Sequence, residues 1–219
     1  MAETILSDNQ IKILEAISQD KAICEIFYLT GGTALAEYYL KHRLSEDLDF
    51  FSEEEFDIQA INVFFAKNKK LLGIKKMDFQ QSFNRNLIFL YLKKDVIKTE
   101  FTYFPFTGIG KRAKKNKLPI DSLEDIAVNK LFTIYQKPRS RDFIDLYLIM
   151  KKTGWKMEEL IKKTKLKFDW HIDYLQLSSH FLLSREVKDY PKMILKLENE
   201  KWQNFFIDQS KKFSGKIIS

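Results

Sequence analysis

Residues 28–51 read YLTGGTALAEYYLKHRLSEDLDFF, and this stretch decides the fold that we predict. A short aromatic and branched run at 25–30 predicts a strand, which the glycines of Gly31-Gly32-Thr33 end. Residues 34–41 predict a helix, and the alternation of polar and apolar residues at 47–51 predicts a second strand. The expected order is therefore strand, glycine turn, helix, loop and strand.

Asp47 and Asp49 lie two positions apart in the second predicted strand. Positions two apart project from the same face, so the two carboxylates can meet one cation while Leu48 and Phe50 enter the core. Neighbouring carboxylates repel each other, and oxygen ligands suit magnesium. The pair therefore predicts a Mg²⁺ site, although Asp-x-Asp by itself is frequent by chance and usually lies at a solvated strand edge.

The Gly31-Gly32 turn supplies a second half of the predicted site. Backbone N–H groups at the start of a helix attract anions, and glycine lets a phosphate approach them closely. A lone Gly-Gly is usually only a turn, but together with Asp47 and Asp49 it favours a metal-bound nucleoside triphosphate. Glu100, on a later predicted strand, is expected to act as a third acid, both metal ligand and base; the alternative is an outward-facing glutamate paired with a lysine.

The rest of the chain predicts an α+β fold, with a mixed sheet, flanking helices and a helical C-terminal extension. We expect a catalytic core at 1–120 and a helical region at 121–219 that completes the active site and the acceptor cleft. The local patterns predict the following elements: an N-terminal helix capped at Ser7, a helix at 58–72, strands at 74–83, 87–92 and 96–104, a basic loop at 108–119, helices at 123–135 and from 141, and mainly helical structure from 155.

Composition narrows the class of protein. The 219 residues carry a net charge of +7, which favours anionic partners, and one cysteine excludes an internal disulfide framework and a Cys-cluster zinc site. The sequence contains no run of about 18 apolar residues, which is the length that a membrane-spanning helix needs. Because residues 1–8 also lack the pattern of a secretory signal, we expect a cytoplasmic protein, and we expect a monomer.

Two blocks of sequence resemble the AbiEii/AbiGii-type nucleotidyl transferases. The first is residues 28–35 with 43–51, and the second runs from Lys130-Leu131-Phe132 to Arg141-Asp142-Phe143-Ile144-Asp145-Leu146-Tyr147. That family includes toxins of bacterial toxin–antitoxin and phage-abortive systems. The resemblance covers about residues 28–150 and implies a DNA polymerase β-like nucleotidyltransferase fold, a nucleoside triphosphate substrate and a cognate antitoxin.

The resemblance also implies roles for individual residues. Asp47 and Asp49 would bind Mg²⁺ with Glu100 as the third ligand, where many family members carry Asp. Lys130 would neutralise the triphosphate, and either Asp142 or Asp145 would orient Lys130 or contact the site. The triphosphate itself would lie near the glycine turn, and its expected ligands are Gly31, Gly32, Thr33, Arg43 and Ser45.

The acceptor is the least determined part of the prediction. Related toxins add nucleotides to tRNA 3′ ends, which favours an RNA acceptor. Basic and aromatic residues that could hold RNA are Lys111–Lys117, Lys162, Lys163, Lys165, Lys167, Trp155, Phe168 and Trp170. The alternatives are a small hydroxylated molecule, a protein acceptor, or a partner-binding module in which catalysis is secondary. Aromatic residues near the C-terminus, Trp202, Phe205 and Phe206, are expected in the core rather than at an interface.

Overall fold

The computed structural model describes residues 4–217, with side chains through Phe213. Residues 1–3 of the N-terminal segment considered above lie outside the described residues. The helices are α1 (Asp8–Gln19), α2 (Lys21–Ile26), α3 (Gly31–Leu35) with a π-helical turn (Ala36–Leu40), α4 (Ile58–Leu72), α5 (Leu123–Gln136), α6 (Ser140–Thr153), α7 (Met157–Phe168), α8 (Tyr174–Leu182) with a 3₁₀ turn (Leu183–Arg185), and α9 (Asn199–Ile217).

The strands form one seven-stranded sheet, in the order β3-β4-β5-β2-β1-β7-β6. They are β1 (Tyr28–Thr30), β2 (Leu48–Ser52), β3 (Lys76–Ser82), β4 (Arg85–Tyr91), β5 (Val96–Tyr103), β6 (Ala113–Lys115) and β7 (Leu118–Ile120). The pairs β1–β7 and β2–β5 are parallel, and the other pairs are antiparallel. The predicted mixed sheet and α+β class are therefore confirmed.

The chain folds as two compact units. The first comprises Met1–Thr107 and Lys111–Ser122, and it contains the sheet; the second comprises Gly108–Gly110 and Leu123–Ser219, and it is helical. The role predicted for the helical region, completion of the active site and acceptor cleft, stays a prediction.

Aromatic side chains form the core of the first unit on one face of the sheet. Phe50 and Phe101 are fully buried and stack with their ring centroids 4.9 Å apart, and Phe27 meets Phe101 edge-on at 5.1 Å. Phe65 of α4 reaches the same ring at 6.2 Å, so α4 packs on this face. Because side chains alternate along a strand, the residues next to Phe50 and Phe101 occupy the other face.

Two local predictions around the glycines need correction. Residues 25 and 26 belong to α2 rather than to a strand, and β1 begins only at Tyr28. Gly31 and Gly32 form the first turn of α3 rather than a turn before the helix, and the helix continues as a π-helical turn that Lys41 ends in the left-handed conformation. The predicted N-terminal helix with its Ser7 capping box is confirmed as α1, and the predicted helix at 58–72 is confirmed as α4.

The segment 108–119 is not the basic loop that its lysines predict. Strands β6 and β7 within it form a hairpin at the edge of the sheet, where Leu118 and Ile120 are buried. Arg112 pairs with Glu53, and its guanidinium lies 3.6 Å from the ring centroid of Tyr28. The lysine-rich composition concealed the apolar alternation of β7, which anchors the hairpin.

The second unit consists of helices around an aromatic core. Trp202 and Phe206 of α9 are fully buried beside Phe143 of α6, so their predicted core position is confirmed. Phe205 is half-buried against Tyr147. Within residues 4–217 we find no helix with both the length and the apolar character that crossing a bilayer requires.

Candidate active site

The first feature of the site is the contact between the glycine turn and the second strand. Strand β2 lies antiparallel to β1 with Asp49 opposite Thr30, which places the Asp49 carboxylate over Gly31. A Cβ added to Gly31 would overlap Asp49 Oδ2 and would lie 3.2 Å from Cγ. Gly31 also has a φ of +71°, which side-chain-bearing residues rarely adopt, so this position requires glycine on two counts.

Gly32 makes room for two hydrogen-bond donors from the loop before β2. A Cβ at this position would overlap the Arg43 guanidinium and would lie 3.0 Å from Ser45 Oγ. Arg43 is almost fully buried, and it donates to the Leu44 carbonyl at 2.9 Å. The structure therefore brings the predicted metal ligand Asp49 close to Gly31, and the predicted phosphate ligands Arg43 and Ser45 close to Gly32, while their binding of phosphate stays a prediction.

Hydrogen bonds fix the loop that leads into β2. The buried hydroxyl of Thr33 donates to the backbone carbonyl of Asp47. From α1, the side-chain amide of Gln10 donates to the carbonyls of Ser45 and Glu46 at 2.9 and 3.1 Å. Gln10 also forms the capping box of α1 together with Ser7, so this one side chain connects the start of α1 to the site loop.

The third acid lies beside Asp49 on the neighbouring strand. In the parallel β2–β5 pair, Asp49 is in register with Glu100, on the face opposite the stacked phenylalanines. Glu100 is 5% exposed, so the outward-facing part of the alternative is wrong, whereas the lysine partner that it expected is present as Lys98. Arg85 of β4 binds both of its carboxylate oxygens, with Nε–Oε1 and Nη2–Oε2 distances of 2.6 and 2.7 Å, and the Thr102 hydroxyl donates at 2.9 Å.

A second cation lies on the same face of the sheet. Lys98 Nζ is 2.9 Å from Asp47 Oδ2 and 4.0 Å from Glu100 Oε2. Burial raises the pKa of Glu100, but the hydrogen bonds and charges of Arg85, with Thr102 and Lys98, outweigh burial and leave that pKa below its ordinary value. Glu100 is therefore ionised at neutral pH and bound by basic groups.

The carboxylates fit a hard divalent cation only in part. Among residues 4–217, no group of three or more His, Cys, Asp or Glu side chains is arranged to hold a metal ion. Asp47 and Asp49 offer the oxygen donors that Mg²⁺ prefers, and they project from one face of the sheet. Arg85 and Thr102 already donate three hydrogen bonds to the Glu100 carboxylate, and the predicted role of Glu100 as third ligand stays a prediction.

In the helical unit, Lys130 lies inside a cage of carboxylates. Its Nζ is 2.6 Å from Asp142 Oδ1 and 2.8 Å from Asp145 Oδ2, and all three side chains are nearly inaccessible. Arg139 Nε adds a contact of 2.8 Å to the other oxygen of Asp142. The alternative that Lys130 is a solvated helix lysine is therefore wrong. Both aspartates orient it, whereas its contact with a triphosphate stays a prediction.

Two residues that were expected to bind RNA are instead buried and make contacts within the protein. Lys167 pairs with Asp125 at 2.7 Å with its side chain 1% exposed, so it cannot offer its charge to a nucleic acid. Phe168 is buried and stacks on Phe132 with a centroid distance of 3.9 Å. Trp170, in contrast, is 55% exposed and remains available for stacking.

Sequence reasoning missed three residues that shape the site. Lys98 stands two positions before Glu100 on the same strand face, so the alternation that paired Asp47 with Asp49 could have found it. Arg85 could not be found in this way, because its contact depends on the register of the β4–β5 hairpin. The sequence identified Gln10 only as part of a helix cap and not as a partner of the loop before β2.

Comparisons with known proteins agree with this geometry. A model of the family described as nucleotidyl transferase AbiEii toxin, type IV TA system, matches residues 12–212. An uncharacterized protein from Aquifex aeolicus (strain VF5) is 35% identical over 150 residues, which are 67% of this chain and 68% of that protein.

Two crystal structures from Helicobacter pylori share the fold. One, of a proposed nucleotidyltransferase, has a TM-score of 0.61 and 18% identity, and the alignment covers 96% of this chain and 97% of that chain. The other, JHP933, has a TM-score of 0.60 and 20% identity over 96% and 94% of the two chains. The expected polymerase β-like nucleotidyltransferase fold is confirmed. Because the family model spans nearly the whole chain, this protein belongs to the AbiEii nucleotidyl transferase toxins of type IV toxin–antitoxin systems, and it is a nucleotidyltransferase.

Proposed function

We propose that the chain transfers a nucleoside monophosphate from a nucleoside triphosphate to an RNA hydroxyl, with Mg²⁺ held by Asp47 and Asp49. The observation that carries this proposal is the seating of the Asp49 carboxylate directly over the backbone of Gly31. A phosphate that approaches the side-chain-free turn would also lie beside the carboxylate pair. The acids and the phosphate could share a cation there, which would offset their mutual repulsion.

The triphosphate is proposed to lie against the glycine turn. Gly32 adjoins the guanidinium of Arg43 and the hydroxyl of Ser45, which are donors suited to phosphate oxygens. Thr30, the residue before α3, makes no side-chain cap, because its hydroxyl donates to Asp121 at 2.6 Å instead. A Thr30 cap therefore does not compete with an anion for the backbone N–H groups of the first turn.

The reaction is a substitution at the α-phosphorus. A bond forms from the acceptor hydroxyl oxygen to that phosphorus, the bond to the β-phosphate bridge oxygen breaks, and pyrophosphate leaves while the hydroxyl proton passes to a base. When bound, Mg²⁺ would neutralise developing charge on the phosphates and make the hydroxyl more acidic. Asp47 and Asp49 would hold this cation through their carboxylate oxygens, and Lys130, which Asp142 and Asp145 orient, is proposed to bind the pyrophosphate.

We propose RNA as the acceptor, and the 3′ end of tRNA in particular. The net charge of +7 favours a polyanion, and exposed Trp170 can stack on an unpaired base. The burial of Lys167 and Phe168 removes part of the surface that the sequence suggested, so this support rests on fewer residues. A small molecule or a protein as acceptor is the alternative outcome of the test.

The proposal is tested by incubating the protein with each labelled nucleoside triphosphate, Mg²⁺ and total tRNA. Asp49→Asn should lower transfer at least about 100-fold, since one ligand of a catalytic cation is worth several kcal/mol. Asp78→Asn, at a surface carboxylate paired with Lys76, serves as the matched control and should stay within about twofold. Wild-type activity in Asp49→Asn would refute the metal assignment, and label that enters only protein or small molecules would refute the RNA acceptor.

A further inference from the structure

Arg85 is the most exposed member of the charged group on the catalytic face of the sheet. It binds the Glu100 carboxylate side-on, through Nε and Nη2, while its side chain remains 55% exposed. Glu100 itself is buried and also accepts a hydrogen bond from Thr102. A buried carboxylate with three donated hydrogen bonds fixes the guanidinium plane more firmly than solvent would.

The side-on contact leaves most of the guanidinium available. A guanidinium has five N–H donors, and Glu100 uses one on Nε and one on Nη2. The remaining three lie at the outer end of the side chain, where Nη1 and Nη2 form a second fork. A fork of this kind matches two oxygens of one phosphate. Arg85 therefore resembles a prepared phosphate ligand, whose orientation is set by Glu100.

The strand order places Arg85 and the glycine turn on opposite sides of Asp49. Asp49 lies on β2, between β1 on one side and β5 followed by β4 on the other. The glycine turn follows β1, whereas Arg85 opens β4. In an in-line transfer, the acceptor and the leaving pyrophosphate lie on opposite sides of the α-phosphorus. With the triphosphate on the glycine side, an in-line axis that runs across the strands brings the acceptor in from the side of Arg85.

We infer that Arg85 binds a backbone phosphate of the nucleic-acid acceptor and that Glu100 positions it. This inference rests on the proposed function, because it takes the glycine side for the triphosphate. Glu100 is then a positioning residue that acts on the acceptor through Arg85, which agrees with the two hydrogen bonds that it accepts from that guanidinium. Lys98, between Asp47 and Glu100, keeps the two carboxylates from repelling each other while the acceptor is absent.

Three variants separate the acceptor role from the metal role. Arg85→Gln removes the charge and the fork, Arg85→Lys keeps only the charge, and Glu100→Gln leaves Arg85 without its ionic anchor. Arg185→Lys, at an exposed arginine that contacts Asn204, is the control. The measurements are the KM for tRNA, the KM for the triphosphate, the salt dependence of tRNA binding by fluorescence anisotropy, and Mn²⁺ binding by electron paramagnetic resonance.

We expect Arg85→Gln to raise the KM for tRNA about tenfold, as for loss of one charged hydrogen-bonding pair. The slope of log affinity against log salt should fall by roughly 0.7 to 0.9, which corresponds to one phosphate contact. Arg85→Lys should recover the slope but not the KM. Glu100→Gln should raise the KM for tRNA and leave the amount and affinity of bound Mn²⁺ unchanged, and Arg185→Lys should match the wild type.

Several outcomes would overturn the inference. A rise in the KM for the triphosphate in Arg85→Gln, with an unchanged KM for tRNA, would place Arg85 on the nucleotide. Loss of Mn²⁺ in Glu100→Gln would make Glu100 a metal ligand. If the wild type transfers to RNA and Arg85→Gln keeps its KM for tRNA, only this inference fails; if the wild type modifies no RNA at all, the proposed acceptor fails as well.

Discussion

The carboxylate of Asp49 lies directly over the backbone of Gly31, so closely that a Cβ at residue 31 would overlap Oδ2. Gly31→Ala should therefore displace a proposed metal ligand in addition to straining the backbone at its φ of +71°. We expect a loss of about 1–2 kcal/mol in the free energy of unfolding from the strain, together with loss of Mn²⁺ binding and of nucleotide transfer.

Gly73→Ala provides the matched control. Gly73 ends α4 with a φ of +67°, but nothing lies within 4 Å of a Cβ added there. Urea unfolding should show the loss from backbone strain in both variants, with Gly31→Ala at least as destabilised because of the overlap with Asp49, while Mn²⁺ binding and transfer fall only in Gly31→Ala. An equal loss of activity in the two variants would mean that stability, rather than the position of Asp49, causes the defect.

The half of the site built from neighbouring positions could be predicted from the sequence. The same-face placement of Asp47 and Asp49 follows from strand alternation, and the glycines are visible as a break before a helix. Both signals are local, and they survived small errors in the bounds of β1 and α3.

The other half depends on contacts between distant parts of the chain. Arg85 reaches Glu100 only because of the register of one hairpin, and Lys167 is buried only because Asp125 of another helix receives it. From local sequence alone a lysine is expected at the surface, because a lysine is rarely buried unless a partner for its charge is present. The partner was 42 residues away in the chain, so the sequence placed Lys167 wrongly.

The low pKa of Glu100 predicts a pH-dependent contribution to stability. Folding lowers this pKa below the ordinary value of 4.5, so the ionised carboxylate stabilises the fold above about pH 4.5. The contribution is lost as the pH falls from there through the pKa of the folded state. Urea unfolding in EDTA should show Glu100→Gln less stable than the wild type at pH 7, with a difference that shrinks toward pH 3.

Exposed Glu25, paired with Lys21 at 3.4 Å, gives the comparison for this titration. Glu25→Gln should change the free energy of unfolding little at either pH, because exposed ion pairs contribute little. A Glu100→Gln difference that stays constant from pH 7 to pH 3 would show that the variant acts through packing and not through the charge that Arg85 binds.

Gln10 predicts a link between the first helix and the site loop. Gln10→Ala removes the hydrogen bond that its side chain accepts from the Ser7 backbone N–H and both hydrogen bonds to the carbonyls of Ser45 and Glu46. We expect a loss of about 1–2 kcal/mol in the free energy of unfolding and weaker nucleotide binding, because Ser45 loses its anchor. Gln19→Ala, at the exposed end of the same helix, should leave nucleotide binding unchanged in isothermal titration.

Because Lys130 lies between two buried carboxylates, we expect it to stabilise the helical unit in addition to any role in nucleotide transfer. Lys130→Met removes the ammonium that lies between Asp142 and Asp145, so both buried carboxylates lose this counter-charge, while Asp142 keeps its contact with Arg139. Breaking a buried pair on one side costs about 3–5 kcal/mol, so thermal unfolding should occur at a markedly lower temperature.

A double variant distinguishes this cage from a purely catalytic lysine. Asp145→Asn removes one of the two charges that lose the Lys130 ammonium in Lys130→Met, so the combined loss of stability should be smaller than the sum of the two single losses. Urea unfolding of the wild type, both single variants and the double variant closes the cycle. If Lys130→Met abolished transfer while the free energy of unfolding stayed at the wild-type value, the ammonium would serve the nucleotide alone, and the cage would contribute no net stability.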